Sequence, residues 1–376
     1  MWLKNKRDTD DLNGLWRVHD SIYDLTNFIQ WHPGGQFWLE ATKGTDITEA
    51  FEIHHIKSKK SEDVLKHFYI KPATKPRVSS LTFKNDGFYK TLKRNVQANL
   101  GDMTHDSPNT SDLCIDILLV TTFALASLSS TLCSFKCAFA AGLVSALTLT
   151  TAHNYIHKRN NLRMYYSDLL LIPSSDLRVM HILNHHVFLN SVIDSLSLIN
   201  LFPKKKCVFW WCEPLILWPI AFHTFIILKV IQACISRSLT INADVLLAII
   251  LPYVMIVLNN ESITTALMLY NFMIAIESFF FCLILFNNKH KHQNTFIRKD
   301  ASKSKEEHDW GIYQLATICN TIEISDSQFL NSVTLKDRAL HHLFPTLDRS
   351  VLHRLYPTIA ETLKQFNVEI CDKCYN

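Results

Sequence analysis

From residue 113 onward the chain is built of long apolar runs with few charges. Lipid tolerates only backbone that satisfies its own hydrogen bonds, so such runs must be helical. Runs over 113–133 and 135–152 follow each other with almost no loop. Each is near the ~20 residues that cross a bilayer core, and together they predict a tight helical hairpin. Runs over 241–258 and 263–286 predict a second hairpin across the polar turn Asn259-Asn260-Glu261-Ser262. A further run, 207–233, carries Glu213, Pro214, Pro219, His223 and Lys229. That load is costly at the bilayer centre, so this run is read as a helix in the membrane interface. Four spans return the chain to its starting side. The segments between hairpins then share one side and hold Lys158, Arg159, Lys204, Lys205, Lys206, Lys289, Lys291, Arg298 and Lys299, whereas the two turns hold Lys136 alone. Cationic loops stay in the cytosol, which puts the inter-hairpin segments and both termini there.

Composition narrows the function classes. The formal net charge is only +4, which gives a nucleic-acid partner no global electrostatic support. Residues 1–15 are charged and lack the apolar core of a secretory signal. Of ten Cys, most lie in apolar runs, where a thiol acts as a small hydrophobe, and Cys371 and Cys374 form a lone CxxC with no second pair at zinc-site spacing.

Residues 14–72 read as a compact soluble domain. Residues 73–112 read as a linker, opened by Pro72 and Pro76, with a helix over 88–96 that alternates apolar and basic residues and suits an anionic membrane surface. The membrane domain runs over 113–350, and 351–376 is a C-terminal tail. In the first domain, Pro33-Gly34-Gly35 can turn sharply and let a flat macrocycle approach the backbone. Ile22, Tyr23, Leu25, Phe28, Trp38, Leu39 and Phe51 can wall an apolar crevice.

The motifs WRVHDSIYDLTNFIQWHPGG, GTDITEAFEIHH and HFYIKP make this domain resemble cytochrome b5 domains in order, spacing and residue type. The resemblance implies a small α+β fold binding haem b, with His32 as one axial ligand. The second ligand closes the FxxxH segment after TDITEA. Phe51 is followed by both His54 and His55. Relatives fused to front-end desaturases place the ligand four residues after this Phe, which selects His55 and leaves His54 as the fallback. Two axial imidazoles would leave the haem no open position for oxygen, so it would only pass electrons.

The second apolar run leads straight into His153-Asn-Tyr-Ile-His157, whose histidines share a helical face. His181-Ile-Leu-Asn-His185-His186 and Arg338-Ala-Leu-His341-His342 follow. Neutral imidazoles gathered in a dry pocket suit iron. These boxes resemble those of membrane fatty acyl desaturases and hydroxylases, over about 86–345, and imply an all-α multi-span domain with a non-haem di-iron centre. Its candidate ligands are His153, His157, His181, His185, His186, His341 and His342, with His290 or His292 as a further one. The segment His308-Asp309-Trp310-Gly311-Ile-Tyr-Gln314 is similar to the one that precedes the third box in front-end desaturases. The two-domain arrangement is most similar to the insect cytochrome b5-related proteins.

Two departures stand out. Box two is HxxxHH, one residue longer than the common HxxHH; a helix takes i+4 as readily as i+3. Box three has Arg338 where relatives have Gln or His, and guanidinium cannot ligate a metal. Arg338 can escape the irons by turning outward to Asp337, Asp348 or a lipid phosphate. The resemblance implies an oxygen-dependent oxidoreductase acting on fatty acyl chains, as a desaturase or hydroxylase. Its partners would be the lipid bilayer, a fatty acyl substrate and a cytochrome b5 reductase-type electron donor, at the cytosolic face of the endoplasmic reticulum. Arg338 favours the alternative of a membrane-anchored haem electron carrier whose desaturase-like domain is catalytically degenerate.

Overall fold

A computed structural model describes residues 2–101, 108–189, 191, 193–194, 212–236, 243–287, 307–318, 327–335 and 338–368. The first domain opens with helix α1 (Trp2–Asp10), whose Arg7 guanidinium donates to the carbonyls of Ala41 and Lys43 at 2.7 and 2.9 Å. Strands β1 (Trp16–Val18), β2 (Ser21–Tyr23) and β3 (Tyr69–Pro72) form an antiparallel sheet in the order β1-β2-β3. A 3-10 turn over Thr26–Trp31 and helices α2 (Gln36–Thr42), α3 (Thr48–His54) and α4 (Ser58–Lys66) cover it. Trp16, Val18, Leu25, Leu39, Ile47, Phe51 and Leu65 make its core.

Strand β4 (Leu81–Thr82) leads into helix α5 (Phe88–Asn99). Phe88, Tyr89, Leu92 and Val96 of α5 are buried in a core shared with the C-terminal part of the chain. Protein therefore occupies the apolar face that the sequence offered to a membrane surface. The basic residues are engaged as well: Lys90 and Lys93 reach the Glu52 carboxylate on α3 at 2.6 and 2.9 Å, with Lys93 and Glu52 both almost fully buried. Arg77 pairs with Asp46 and Glu49 at 2.8 and 2.5 Å. These ion pairs lock the first domain onto the second.

Helices α6 (Pro108–Thr131) and α7 (Phe135–Ile156) form the first hairpin, and α11 (Ala243–Leu258) and α12 (Ile263–Asn287) the second. Between them lie a 3-10 turn over Leu162–Tyr165, the short helices α8 (Tyr166–Leu169) and α9 (Ser174–Leu177), a π-helical segment over Arg178–His185, and α10 (Cys212–Ser236). Among the described residues, three segments are long and apolar enough to cross a membrane, Thr110–Thr131, Phe135–Ile156 and Ile263–Leu285; the apolar stretch of α11, Leu246–Leu258, is shorter. Leu113, Ile117 and Val120 of α6 and Leu246, Ile249 and Val257 of α11 are exposed, as side chains facing lipid must be. Small residues bring α7 against α12: a Cβ on Gly142 would meet the Met273 carbonyl at 2.6 Å. The two hairpin turns meet, since Asn259 and Asn260 donate to the carbonyls of Ser130 and Thr131 at 3.0 and 3.2 Å.

Helix α10 lies along α12, where the Phe222 amide donates to Ser278 Oγ and that hydroxyl donates to the Trp218 carbonyl. Leu215, Ile216, Ile227 and Val230 are exposed. These side chains give α10 an apolar outer face at those positions. Strand β5 (His308–Asp309) pairs in parallel with β4. Helices α13 (Trp310–Thr317), α14 (Gln328–Thr334), α15 (Arg338–Leu343) and α16 (Arg349–Gln365) complete the chain. With α5 they form a cap over the histidine-bearing end of the hairpins.

Candidate functional site

The haem cradle is assembled by short-range contacts. His32 sits before the Pro-Gly-Gly turn, and its Nδ1 donates to the Gly35 carbonyl at 2.9 Å. His55 caps α3, and its Nδ1 donates to the Phe51 carbonyl at 2.8 Å. Fixing Nδ1–H in this way leaves Nε2 as the ligating atom. The two ring centres are 6.2 Å apart. A metal–nitrogen bond of about 2 Å plus about 1 Å to each ring centre gives roughly this spacing for two axial imidazoles on one iron. The donor set therefore fits a haem. Burial holds His55 at a pKa of about 4 and lowers His32 as well, so both rings are neutral at physiological pH. His54 turns elsewhere. Its Nδ1 donates to the Ala50 carbonyl at 2.8 Å, its ring lies 6.1 Å from that of Trp38, and its Nε2 is buried with no hydrogen-bond partner.

The second site gathers side chains from three elements. The end of α7 supplies His153 and His157, the π-helical segment supplies His181, His185 and, at its cap, His186, and α15 supplies His341 and His342. One ring nitrogen from each of His153, His157, His181, His186 and His341 lies within 4.8 Å of all the others. His181 Nε2 is 2.5 Å from His153 Nε2 and 3.0 Å from His186 Nε2. His342 stacks on His186 at 4.1 Å, and His185 packs 5.3 Å from His342.

All seven box histidines thus converge. Nδ1 of His153, His157 and His186 and both nitrogens of His341 are buried without a hydrogen-bond partner. Burial, then neighbouring imidazoles, drive His157 and His186 far below their ordinary pKa; at His341 burial and the Arg349 charge do so. Neutral, desolvated and unsatisfied imidazoles form a donor set suited to metal ions.

The extra residue of box two has a structural answer. The His186 amide donates to the His181 carbonyl at 2.9 Å, an i→i+5 bond. A π-helical turn absorbs one inserted residue and keeps both ends of the box on one face. The expectation of an ordinary helical i+4 spacing is corrected accordingly. Helix α13 then staples this segment: Trp310 Nε1 donates to the Val187 carbonyl, Tyr313 to that of Leu189 and Gln314 Nε2 to that of His186, at 3.2, 2.6 and 2.9 Å.

The same architecture appears in known proteins. A fatty acid desaturase family match covers residues 130–373, and a match described as "Cytochrome b5-like Heme/Steroid binding domain" covers 3–72. The chain belongs to the fatty acid desaturase family. It does so as a fusion with a cytochrome b5-like domain. Cytochrome b5-related protein of Drosophila melanogaster is 35% identical over 379 residues, covering 97% of this chain and 86% of that one. Its namesake in Drosophila virilis is 45% identical over 116 residues, 31% of this chain and 80% of the relative. Probable Delta(5) fatty acid desaturase C of Dictyostelium discoideum is 28% identical over 131 residues, 34% of this chain and 28% of the relative. No solved structure gives a significant match.

Other residues of this desaturase domain escaped the sequence reading. Buried Asp194 faces His185 Nδ1 at 3.0 Å, the carboxylate–histidine arrangement that orients a metal ligand. A lone acid nine residues beyond His185 carries no local signal. Arg349, also buried, donates to Asn154 Oδ1 at 2.8 Å and places a second positive charge near the cluster. Arg338 itself does not turn outward. It is buried and donates to the Leu285 carbonyl at 3.3 Å, because the end of α12 offers acceptors and the negative end of a helix dipole. Asp348 instead receives Lys158, Ser111 and Ser350, at 2.9, 3.0 and 2.6 Å. His290, His292 and Asp337 lie outside the described residues, as do Cys371 and Cys374.

Proposed function

We propose that the chain is a membrane-bound oxidoreductase that desaturates or hydroxylates fatty acyl lipid, with electrons delivered through its own haem domain. The observation that carries this reading is the set of five histidine nitrogens within 4.8 Å of one another at the end of the apolar hairpins. His32 and His55 would hold haem b. His153, His157, His181, His185, His186, His341 and His342 would hold a non-haem di-iron centre. Bound iron would supply oxygen activation, which imidazole and carboxylate side chains cannot.

The protein's own groups do the rest. Helix α13 fixes the backbone of box two, and Asp194 orients His185. The close apolar packing of α7 on α12 excludes water beside the cluster. Oxygen would take two electrons from the haem side, and the acyl chain would lose two hydrogens or gain one oxygen. A cytochrome b5 reductase-type donor at the cytosolic face of the endoplasmic reticulum suits the four-span, cationic-inside reading.

Incubation of purified protein with NADH, such a reductase, oxygen and acyl lipid should give products lighter by two hydrogens or heavier by one oxygen. Absence of either product, with haem reduced and iron bound, contradicts the reading. The second reading, a haem electron carrier with a degenerate desaturase domain, is favoured by the buried charges of Arg338 and Arg349. It requires purified protein to lack non-haem iron. Under the oxidoreductase reading Arg338→Gln raises iron occupancy, because repulsion between a guanidinium and a dication at about 5 Å amounts to several kcal/mol at an effective dielectric near 20.

A further inference from the structure

Between the two sites lies a short protein bridge that neither donor set uses. His54 is the last residue of α3 and is one peptide bond from His55. Its Nε2 is buried without a hydrogen-bond partner, and Nδ1 is fixed on the Ala50 carbonyl. The ring is tilted against Trp38 at 6.1 Å, away from the His32–His55 pair. Trp38 in turn packs against the apolar cluster that contains Tyr155, Ile156 and Ile182, residues interleaved with boxes one and two. The Arg178 guanidinium, at the start of the π-helical segment that carries His181, lies 4.8 Å over the Trp38 ring. Arg178 also donates to Asn160 Oδ1 at 2.7 Å.

A second contact runs in parallel. The Asn160 side chain fills the space where a Cβ on Gly35 would stand, at 2.6 Å, so the loop after His32 rests on the loop after His157. His157 and His54 are also within electrostatic reach of each other. Both sides of the cradle thus touch the segment that bears the cluster. The ion pairs of Glu52 with Lys90 and Lys93 hold α3 in this pose.

We propose that His54 is the relay between the haem and the histidine cluster. An electron leaving ferrous haem passes through His55, the intervening peptide and the His54 ring to a ferric ion in the cluster. The haem iron is oxidised by one electron and the cluster iron reduced by one; no bond is made or broken. Tunnelling falls steeply with each through-space gap, and this route is covalent from the haem ligand to the His54 ring. A polar ring with a bare, buried nitrogen is costly there, and the relay role accounts for its retention. The inference rests on the oxidoreductase reading above.

The test uses full-length protein with both metals, in detergent and without oxygen. The haem is reduced by a flash-generated radical, and its reoxidation is followed in the haem absorption band. Groups just outside a metal site are typically worth on the order of 10- to 100-fold, and His54→Ala is expected to slow reoxidation by that order. Its low-spin haem spectrum, haem midpoint potential and non-haem iron content should stay at wild-type values, and His54→Phe, which restores an aromatic ring, should recover part of the rate. An unchanged rate in His54→Ala overturns the relay. Loss of haem in that variant makes His54 an axial ligand, and loss of non-haem iron makes it a cluster ligand; either result also overturns it. Wild-type reoxidation that persists in His341→Ala lacking cluster iron sinks the oxidoreductase reading and the relay with it. Slow reoxidation in His341→Ala, with a wild-type rate in His54→Ala, sinks the relay alone.

Discussion

The two histidine sites are built in opposite ways. In the haem cradle, His32 and His55 each give Nδ1–H to a carbonyl three or four residues away. Ring orientation there is encoded locally, and the site is organised before any metal arrives. In the cluster, Nδ1 of His153, His157 and His186 has no hydrogen-bond partner, and the rings come from segments far apart in sequence. Tertiary packing brings them together against the desolvation of bare nitrogens, so the cluster should depend on its metal for stability. The cradle should outlast metal removal; the cluster should loosen.

Removing one ligand from each site should separate the two most clearly. His341→Ala is expected to abolish non-haem iron while the haem spectrum stays intact. His32→Ala should abolish haem while cluster iron stays. Metal analysis with absorption spectra reads both, and loss of both metals from either variant would show that the two sites are one cooperative unit.

The next largest effect concerns the contact between domains. Glu52→Gln leaves the buried Lys93 ammonium without its counter-charge. Removing one partner of a buried ion pair costs about 3–5 kcal/mol. Denaturant unfolding should show that loss, with the haem domain separating from the cap before it unfolds. A change below about 0.5 kcal/mol, the scale of ordinary surface substitutions, would mean that Glu52 does not anchor the docking.

Asp194→Asn should act on the cluster alone. Loss of the carboxylate behind a ligating His weakens metal binding roughly 10- to 100-fold. A chelator competition assay should show this shift with no change in haem potential. Equal iron retention in wild type and variant would remove Asp194 from the site.

The most gradual effect is that of pH on the cradle. His55 has a folded pKa of about 4 against an ordinary value of 6.5. Between those values the unfolded chain binds a proton that the folded chain refuses, so stability falls as pH drops through that window. Above pH 6.5 this contribution is fully present, and below about 4 no more is lost. Denaturant unfolding of the haem-free protein should show stability falling within this window. Stability of the haem-free protein that begins to fall only below pH 4 would contradict the assignment of a buried neutral His55.

Much of this was legible in the sequence because it is encoded locally. The hairpins announce themselves through run length, and Asn259 to Ser262 marks a turn that the structure keeps. The HPGG and FxxxH spacings carry the cradle, and the three boxes carry the cluster. The domain docking was not legible, since Glu52 and Lys93 are 41 residues apart and an ion pair leaves no pattern in the intervening chain. Asp194 and Arg349 were missed for the same reason. The HxxxHH spacing did hold the signal for the π-helical turn: one inserted residue must bulge or rotate the box off its face.

Under the oxidoreductase reading one chain carries two separate metal centres, a haem and a histidine-held iron cluster. Quantifying total iron and haem in the same purified sample tests it most directly. One haem per chain and roughly one to two further irons, held by the box imidazoles, are expected. Iron equal to haem, with none left over, would contradict it and leave the electron-carrier reading standing.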